Sequence, residues 1–512
     1  MKLKRIFSLF LCFTICLLIC GCKNSKNGNN LANQAQNAQA NNNQISLLYC
    51  ANDTYDPYTL ISKSNFVLCQ LLYDPLYKTD NNFEPIAVLA QNAVQEGTKW
   101  TISLKQANFT DSTPLTAQDV IFSFELAKNC PIYSSGLSYV ESVTASNNDV
   151  IFELSINDPY FKNVLNFPII KTGSNAIYNE DNVLAAPIGT GRYILNQEKN
   201  GLNINENYFG EKGSIGYIKL IDAPDSESIS HYVEVGATDI YYADTSEGSI
   251  IRMSGKKEII NRNVLVYIGI NDNNWLFKDI NIRYAVSSAL DREKIVTSAF
   301  FGNAIAATGP FHPAFKAVTG YQTSPTNANK EISIENLNKI GYNKLNEDGY
   351  RVDSLGNVIE ISLLVNKENS QRLAAADMIV SQLKDVGLKV KVVSLPYNEY
   401  LEALESGTFE LYLGEIKLDN NFDITELVIE GGRCAFGKVN NPDDTVSIEN
   451  VINEYKSGSA SITNVITALQ AQMPFIPICY RSGIVFYNEN IQDGLDFSED
   501  DLFLSIERLT IN

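Results

Sequence analysis

Histidine and tryptophan are scarce in this chain, with 2 of each in 512 residues. His231 and His312 stand apart, with no HExxH pair and no carboxylates at zinc-ligand spacing, which argues against an imidazole metal site. No GxSxG nucleophile elbow occurs. Gly432 to Val439 (GRCAFGKV) has the spacing of a phosphate loop, but Val439 stands where magnesium needs a hydroxyl. Positive charge is also short: 40 Lys and Arg face 59 Asp and Glu, a net charge of −19. That excludes a nucleic-acid footprint and adsorption to anionic lipid. Of 9 cysteines, only Cys50, Cys69, Cys130, Cys434 and Cys479 follow the first 22 residues. They are odd in number, far apart and free of CxxC pairs, so they read as small buried apolar residues rather than a disulfide framework. No internal repeat is found.

What is there begins at the N-terminus. Lys2, Lys4 and Arg5 precede the uncharged run Ile6–Cys20, which has 15 residues. A membrane-spanning helix needs about 20, so the pattern is that of a secretory signal. Ile19-Cys20-Gly21-Cys22 resembles a bacterial lipobox. The resemblance implies that residues 1–21 are removed and that Cys22 is lipidated. Lys23 to Gln44 holds 9 Asn and 4 Gln among 22 residues, with almost nothing to bury. Residues 22–45 therefore read as a lipidated cysteine and a disordered tether, reaching roughly 25 Å at about 5–6 Å × √n. The body should hang from a lipid on the extracytoplasmic face of a cell membrane, in a bacterium of Gram-positive type.

The remainder is longer than the ~250–300 residues at which one core stops growing, so at least two domains are expected. Ile45–Cys50 reads as a strand and Ser64–Leu76 has helical spacing. Trp100–Phe109 is a strand. Thr116, with Asp119 three residues on, opens a helix by a capping box. Pro187–Tyr193 (PIGTGRY) is a sharp glycine turn before a strand. Tyr217–Ile221 and Val264–Ile270 are strands, the second apolar on both faces. Helices follow around Ile282–Leu290, Asn336–Ile340 and Leu373–Val386, the last two stopped by Gly341 and Gly387. The order Ile361–Val365 strand, helix, Leu388–Val392 strand predicts an α/β lobe with a parallel element. Phe475–Phe486 is a long apolar crossing.

Six segments, in order, resemble one family: the extracellular solute-binding proteins of peptide and nickel ABC importers, of the dipeptide/oligopeptide-binding type. They are LLYDPLYKTD (Leu71–Asp80), KWTISLKQANFTDSTPLTAQDVIFSF (Lys99–Phe124), PIGTGRY, GATDI (Gly236–Ile240), FKDINIRYAVSSALDREKIV (Phe277–Val296) and the Gly387 helix end with Gly407–Leu411. Ser112 stands where the family usually has glycine, and Arg192 where it has proline. The resemblance covers about residues 46–510.

It implies a two-lobed α/β fold like the type II periplasmic binding proteins, joined by a two-strand hinge. The lobes would be 46–265 plus 482–512, with an extra subdomain at about 77–175, and 266–481. The implied function is capture of a small peptide between the lobes and its delivery to the permease and ATPase of an importer. No enzyme activity and no cofactor is expected, and the chain would act as a monomer, membrane-linked only by its lipid. The alternatives are a non-peptide solute such as a metal chelate or amino-sugar, a signalling peptide, or a surface hydrolase. By position in the family, backbone near Ser64 and Asn65 and near Gly414–Asp419 would pair with a peptide. Asp419 would take its ammonium, one residue late against the usual G-W-x-x-D, with Glu415 the second candidate. Trp275 is a candidate cleft aromatic, and Arg433 a candidate partner for a ligand carboxylate.

Overall fold

The computed structural model describes residues 43–175, 177, 185–247, 250–321, 325–439, 447–492 and 494–512. Residues 43–512 form one compact unit. The signal, Cys22 and nearly all of the tether lie outside the described residues.

Two long strands organise the body. Lys256–Ile270 and Phe475–Tyr487 run antiparallel through a seven-stranded sheet. One end of this ribbon carries Ile240–Asp244 on the Phe475–Tyr487 side. The other end carries Leu411–Lys417, which pairs with Val264–Ile270, and then the strands Glu360–Asn366 and Lys389–Leu395. The strand–helix–strand expectation holds: the last two strands are parallel, linked by the helix Ser370–Lys384. The expected crossing at Val264 begins earlier, at Lys256. Its first residues are exposed or half-buried and polar, so apolar periodicity does not reveal them.

Between these ends the ribbon is irregular. Asn261 faces Ser482 and Val264 faces Arg481, so Arg262 and Asn263 are extra residues in one strand. Such a bulge bends a strand and re-aims its side chains. Both residues are buried; Arg262 lines the cavity described below, and Asn263 holds the backbone of Leu418 and Asp419.

The N-terminal part of the body has two four-stranded sheets. One joins Gln44–Tyr49 in parallel to Tyr217–Asp222, followed by Gly201–Ile204 and Tyr193–Leu195. The other joins Ala90–Glu96, Lys99–Leu104, Asp149–Leu154 and Val140–Ser146. The helix Ala117–Lys128 covers the second sheet and starts with the expected capping box of Thr116 and Asp119. Leu71–Leu72 and Gly189–Gly191 approach so closely that a Cβ on Gly191 would lie 2.3 Å from the Leu71 carbonyl. That contact requires the glycine turn and fixes the Lys63–Leu72 helix against it. Ser112 sits at φ +69, the left-handed conformation for which the family's glycine is suited. The five cysteines among the described residues are free thiols, and Cys69, Cys130 and Cys479 are buried.

Candidate functional site

The bulge and three loops enclose a cavity of about 320 Å³. Its apolar side comes from Ile61, Phe66, Ile132, Tyr133 and Val164, and its charged side from the bulge, Lys417–Asn420 and Glu499–Asp501. The Lys63–Leu72 helix presents Phe66 because Ser62 caps it and holds its first turn in place.

The charged side is a chain of ion pairs. Asp501 meets Lys78 at 2.5 Å and Arg192 at 2.6 Å. Arg262 pairs with Asp244 and, at 3.1 Å, with Glu499. Lys417 reaches the same Glu499 at 3.2 Å, and Lys63 reaches Asp244 at 3.4 Å. Burial raises the pKa of each of these carboxylates, but the cations outweigh it. Arg262 and Lys63 help hold Asp244 at about 2. Arg192 and Lys78 lower Asp501, while Lys417 and Arg262 lower Glu499. The residue replacing the family's proline, Arg192, is therefore an ion-pair member, and it also donates to the Phe503 carbonyl at 2.6 Å.

Asp419 sits differently. Its backbone is clamped by the bulge: the Asn263 amide donates to the Asp419 carbonyl at 3.0 Å, and the Leu418 N–H to the Asn263 carbonyl at 2.8 Å. Its carboxylate accepts a hydrogen bond from the Ser135 hydroxyl at 2.9 Å. No cation among the described residues lies within ion-pair distance, and burial raises its pKa. A Cβ on Gly136 would come 3.5 Å from the same carboxylate and 2.8 Å from Val164, so glycine keeps that approach open.

The walls meet in a seam. Asn163 donates to the Asn420 carbonyl at 3.0 Å, and Asn421 to the Asp158 carboxylate at 2.9 Å. Asn420 reaches the Thr79 hydroxyl at 3.4 Å. Lys456 donates to the Tyr139 hydroxyl. Phe422, at φ +62, is stacked on Phe315 and edged by Phe83, Tyr160 and Phe311. That aromatic packing compensates for a conformation bulky residues rarely adopt.

Of the seven ligand candidates read from the sequence, Asp419 alone is part of the cavity lining. Asn65 is buried and ties a loop: its amide donates to the Cys50 and Thr54 carbonyls at 3.0 and 3.1 Å. Ser64 precedes it on the helix without lining the cavity. Gly414 and Glu415 lie in the sheet opposite Tyr267 and Val266. The Glu415 carboxylate has a buried oxygen without a hydrogen-bond partner, and burial raises its pKa against the pull of Arg481. Trp275 is 72% exposed on a turn. Arg433 is exposed and paired with Glu426 at 3.0 Å. The sequence reading missed Ser135, Arg262, Lys417 and the run Glu499–Asp501. That run of three carboxylates just beyond an apolar crossing was a usable signal. His312 is buried and pushed down to about 3, and among the described residues no cluster of His, Cys, Asp or Glu could hold a metal ion. No described helix is long and apolar enough to cross a membrane.

A two-lobed α/β body is the form of a binding protein that closes on a solute. Residues 84–427 match the bacterial extracellular solute-binding proteins, family 5 Middle, and the chain belongs to that family. Among curated relatives, it is 25% identical over 361 residues to the oligopeptide-binding protein AppA of Bacillus subtilis, covering 65% of each chain. The chain thus spans less than two thirds of that relative's length. Among solved structures, the periplasmic murein tripeptide binding protein MppA, in its unliganded open form, aligns with TM-score 0.75 at 16% identity, covering 92% of this chain and 98% of that one. The nickel ABC transporter protein of Bacillus halodurans aligns with TM-score 0.73 at 20% identity, covering 91% and 100%. These likenesses support the fold.

Proposed function

We propose that this protein is the substrate-binding component of an ABC importer. It captures a small peptide between its lobes and presents the closed form to a permease. The reading takes 46–265 plus 482–512 as one lobe and 266–481 as the other, with Arg262 and Asn263 at the hinge. The observation that carries it is Asp419: a desolvated carboxylate facing an interlobe cavity, without a cation of its own. A peptide ammonium is the group it needs. The family and the oligopeptide-binding relative support the same ligand class. Cys22, lipidated, would hold this monomer beside the permease on the outer face of the membrane.

Thermal unfolding with dipeptide and tripeptide mixtures tests the reading. A ligand at 100 times its Kd stabilises by about 2.7 kcal/mol. An unchanged unfolding temperature with every peptide would sink it. Asp419→Asn should weaken peptides with a free N-terminus and spare their N-acetylated forms. Palmitate incorporation that is lost in Cys22→Ser tests the anchor.

A further inference from the structure

The cavity's charges are unevenly matched. Its lining carries five cations: Lys63, Lys78, Arg192, Arg262 and Lys417. Each is engaged with a lining carboxylate, namely Asp244, Glu499 or Asp501. A ligand carboxylate entering here meets no cation that is not already in an ion pair.

Three lining carboxylates have no cation within ion-pair distance among the described residues. Asp74 is buried in the wall and satisfied by the hydroxyls of Thr190 at 2.9 Å and Tyr208 at 3.2 Å. The other two are Asp419 and Asp500. Asp500 accepts from the Thr79 N–H at 2.9 Å, the Thr79 hydroxyl at 2.6 Å and the Asn166 amide at 2.9 Å. These are neutral donors, and burial raises the Asp500 pKa. A carboxylate has about four acceptor sites, so both of these cavity-lining groups keep acceptor capacity. They come from opposite sides and flank one seam contact, since Asn420, next to Asp419, reaches the Thr79 hydroxyl that Asp500 holds. Beside them lies the apolar strip of Ile61, Phe66 and Ile132, fit for a methylene stem.

We infer that the preferred ligand carries two ammonium-type groups joined by an aliphatic stem, one seated on Asp419 and the other on Asp500. This rests on the binding-protein reading and narrows its ligand class. Such a ligand supplies the countercharge that both desolvated carboxylates lack, and closure strengthens both pairs by excluding water. The chemistry has two sources: a peptide whose first residue bears a basic side chain, or a linear diamine.

Calorimetric titration of the full chain with Lys-Ala-Ala, Ala-Ala-Ala, Glu-Ala-Ala and 1,5-diaminopentane separates them. Lys-Ala-Ala should bind at least tenfold more tightly than Ala-Ala-Ala, and Glu-Ala-Ala most weakly. Asp500→Asn should abolish the gap between the first two. The wild-type panel decides the matter even if that variant fails to fold. Equal binding of Lys-Ala-Ala and Ala-Ala-Ala, or a preference for Glu-Ala-Ala, overturns the dication and leaves peptide binding standing. Binding of 1,5-diaminopentane alone upholds the dication and overturns the peptide. Silence from all four overturns both.

Discussion

Along the inner wall of the cleft, carboxylates meet cations; across the seam that closes it, they meet amides and hydroxyls. Asp501 sits between Lys78 and Arg192, and Asp244 beside Arg262. In the seam, Asp158 accepts from Asn421 and Asp419 from Ser135. All four carboxylates pay for burial with a raised pKa, but only the wall pairs reverse that rise. The wall is held by charge, and one of its pairs, Lys417–Glu499, joins the two proposed lobes. The amide and hydroxyl contacts of the seam are single bonds between groups that water serves equally well, so they can part when a solute enters.

The contrast is sharpest in acid. Asp244 is held at about 2, below its ordinary 3.8. Its stabilisation is present above pH 4 and fades as pH falls toward 2. Asp158 goes the other way: burial pushes it up to about 6, against the help of Asn421. Its burial is tolerated best below pH 4 and is progressively penalised as pH rises through 6. Acid therefore weakens the wall and tightens the seam.

Four measurements probe the difference. Asp501→Ala leaves Arg192 and Lys78 buried without their shared partner, and should lower stability by about 3–5 kcal/mol in urea denaturation. A loss under 1 kcal/mol would mean that the wall is not locked by charge. Asp158→Asn should add up to about 3 kcal/mol of stability at pH 7, the worth of roughly two pKa units, and should flatten the pH dependence between 4 and 6. An unchanged pH profile of unfolding would remove Asp158 as the seam's titrating group. Ser135→Ala deletes the hydroxyl that reaches Asp419 on closure. It should cost about 1 kcal/mol in ligand binding, near fivefold in Kd by titration, with urea stability unaltered. Arg433→Ala breaks an exposed pair and should change stability and affinity by under about 0.5 kcal/mol; a large affinity loss would return Arg433 to the cleft.

Much of the fold was legible because its signals are local. The Thr116–Asp119 box, the Gly387 stop and the two apolar crossings can each be read within a window of one element. Asp419 was named through the position that the family resemblance gives it, and the structure puts it in the cavity lining. The wall was not. Asp501 lies 423 residues from Lys78 and 309 from Arg192, and no spacing rule joins such residues. Nor does periodicity announce a bulge: Arg262 and Asn263 lie just before the apolar run Val264–Ile270 that reads as a strand. For Ser64 and Asn65 the expectation is backbone pairing with a peptide; both lie in the first turn of the helix Lys63–Leu72, and the Asn65 side chain holds the Cys50 loop.

The ends of the body also depend on each other. Ser214 bonds the Ile506 and Leu509 carbonyls, Lys256 bonds the Ile491 carbonyl, and Ile240–Asp244 pairs with Gly483–Tyr487. The N-terminal sheets thus cannot finish folding until the last thirty or so residues have left the ribosome. At about 5–20 residues per second, a delay on the order of a minute separates synthesis of the first strand from its final partners. During that interval the chain lacks its final tertiary contacts.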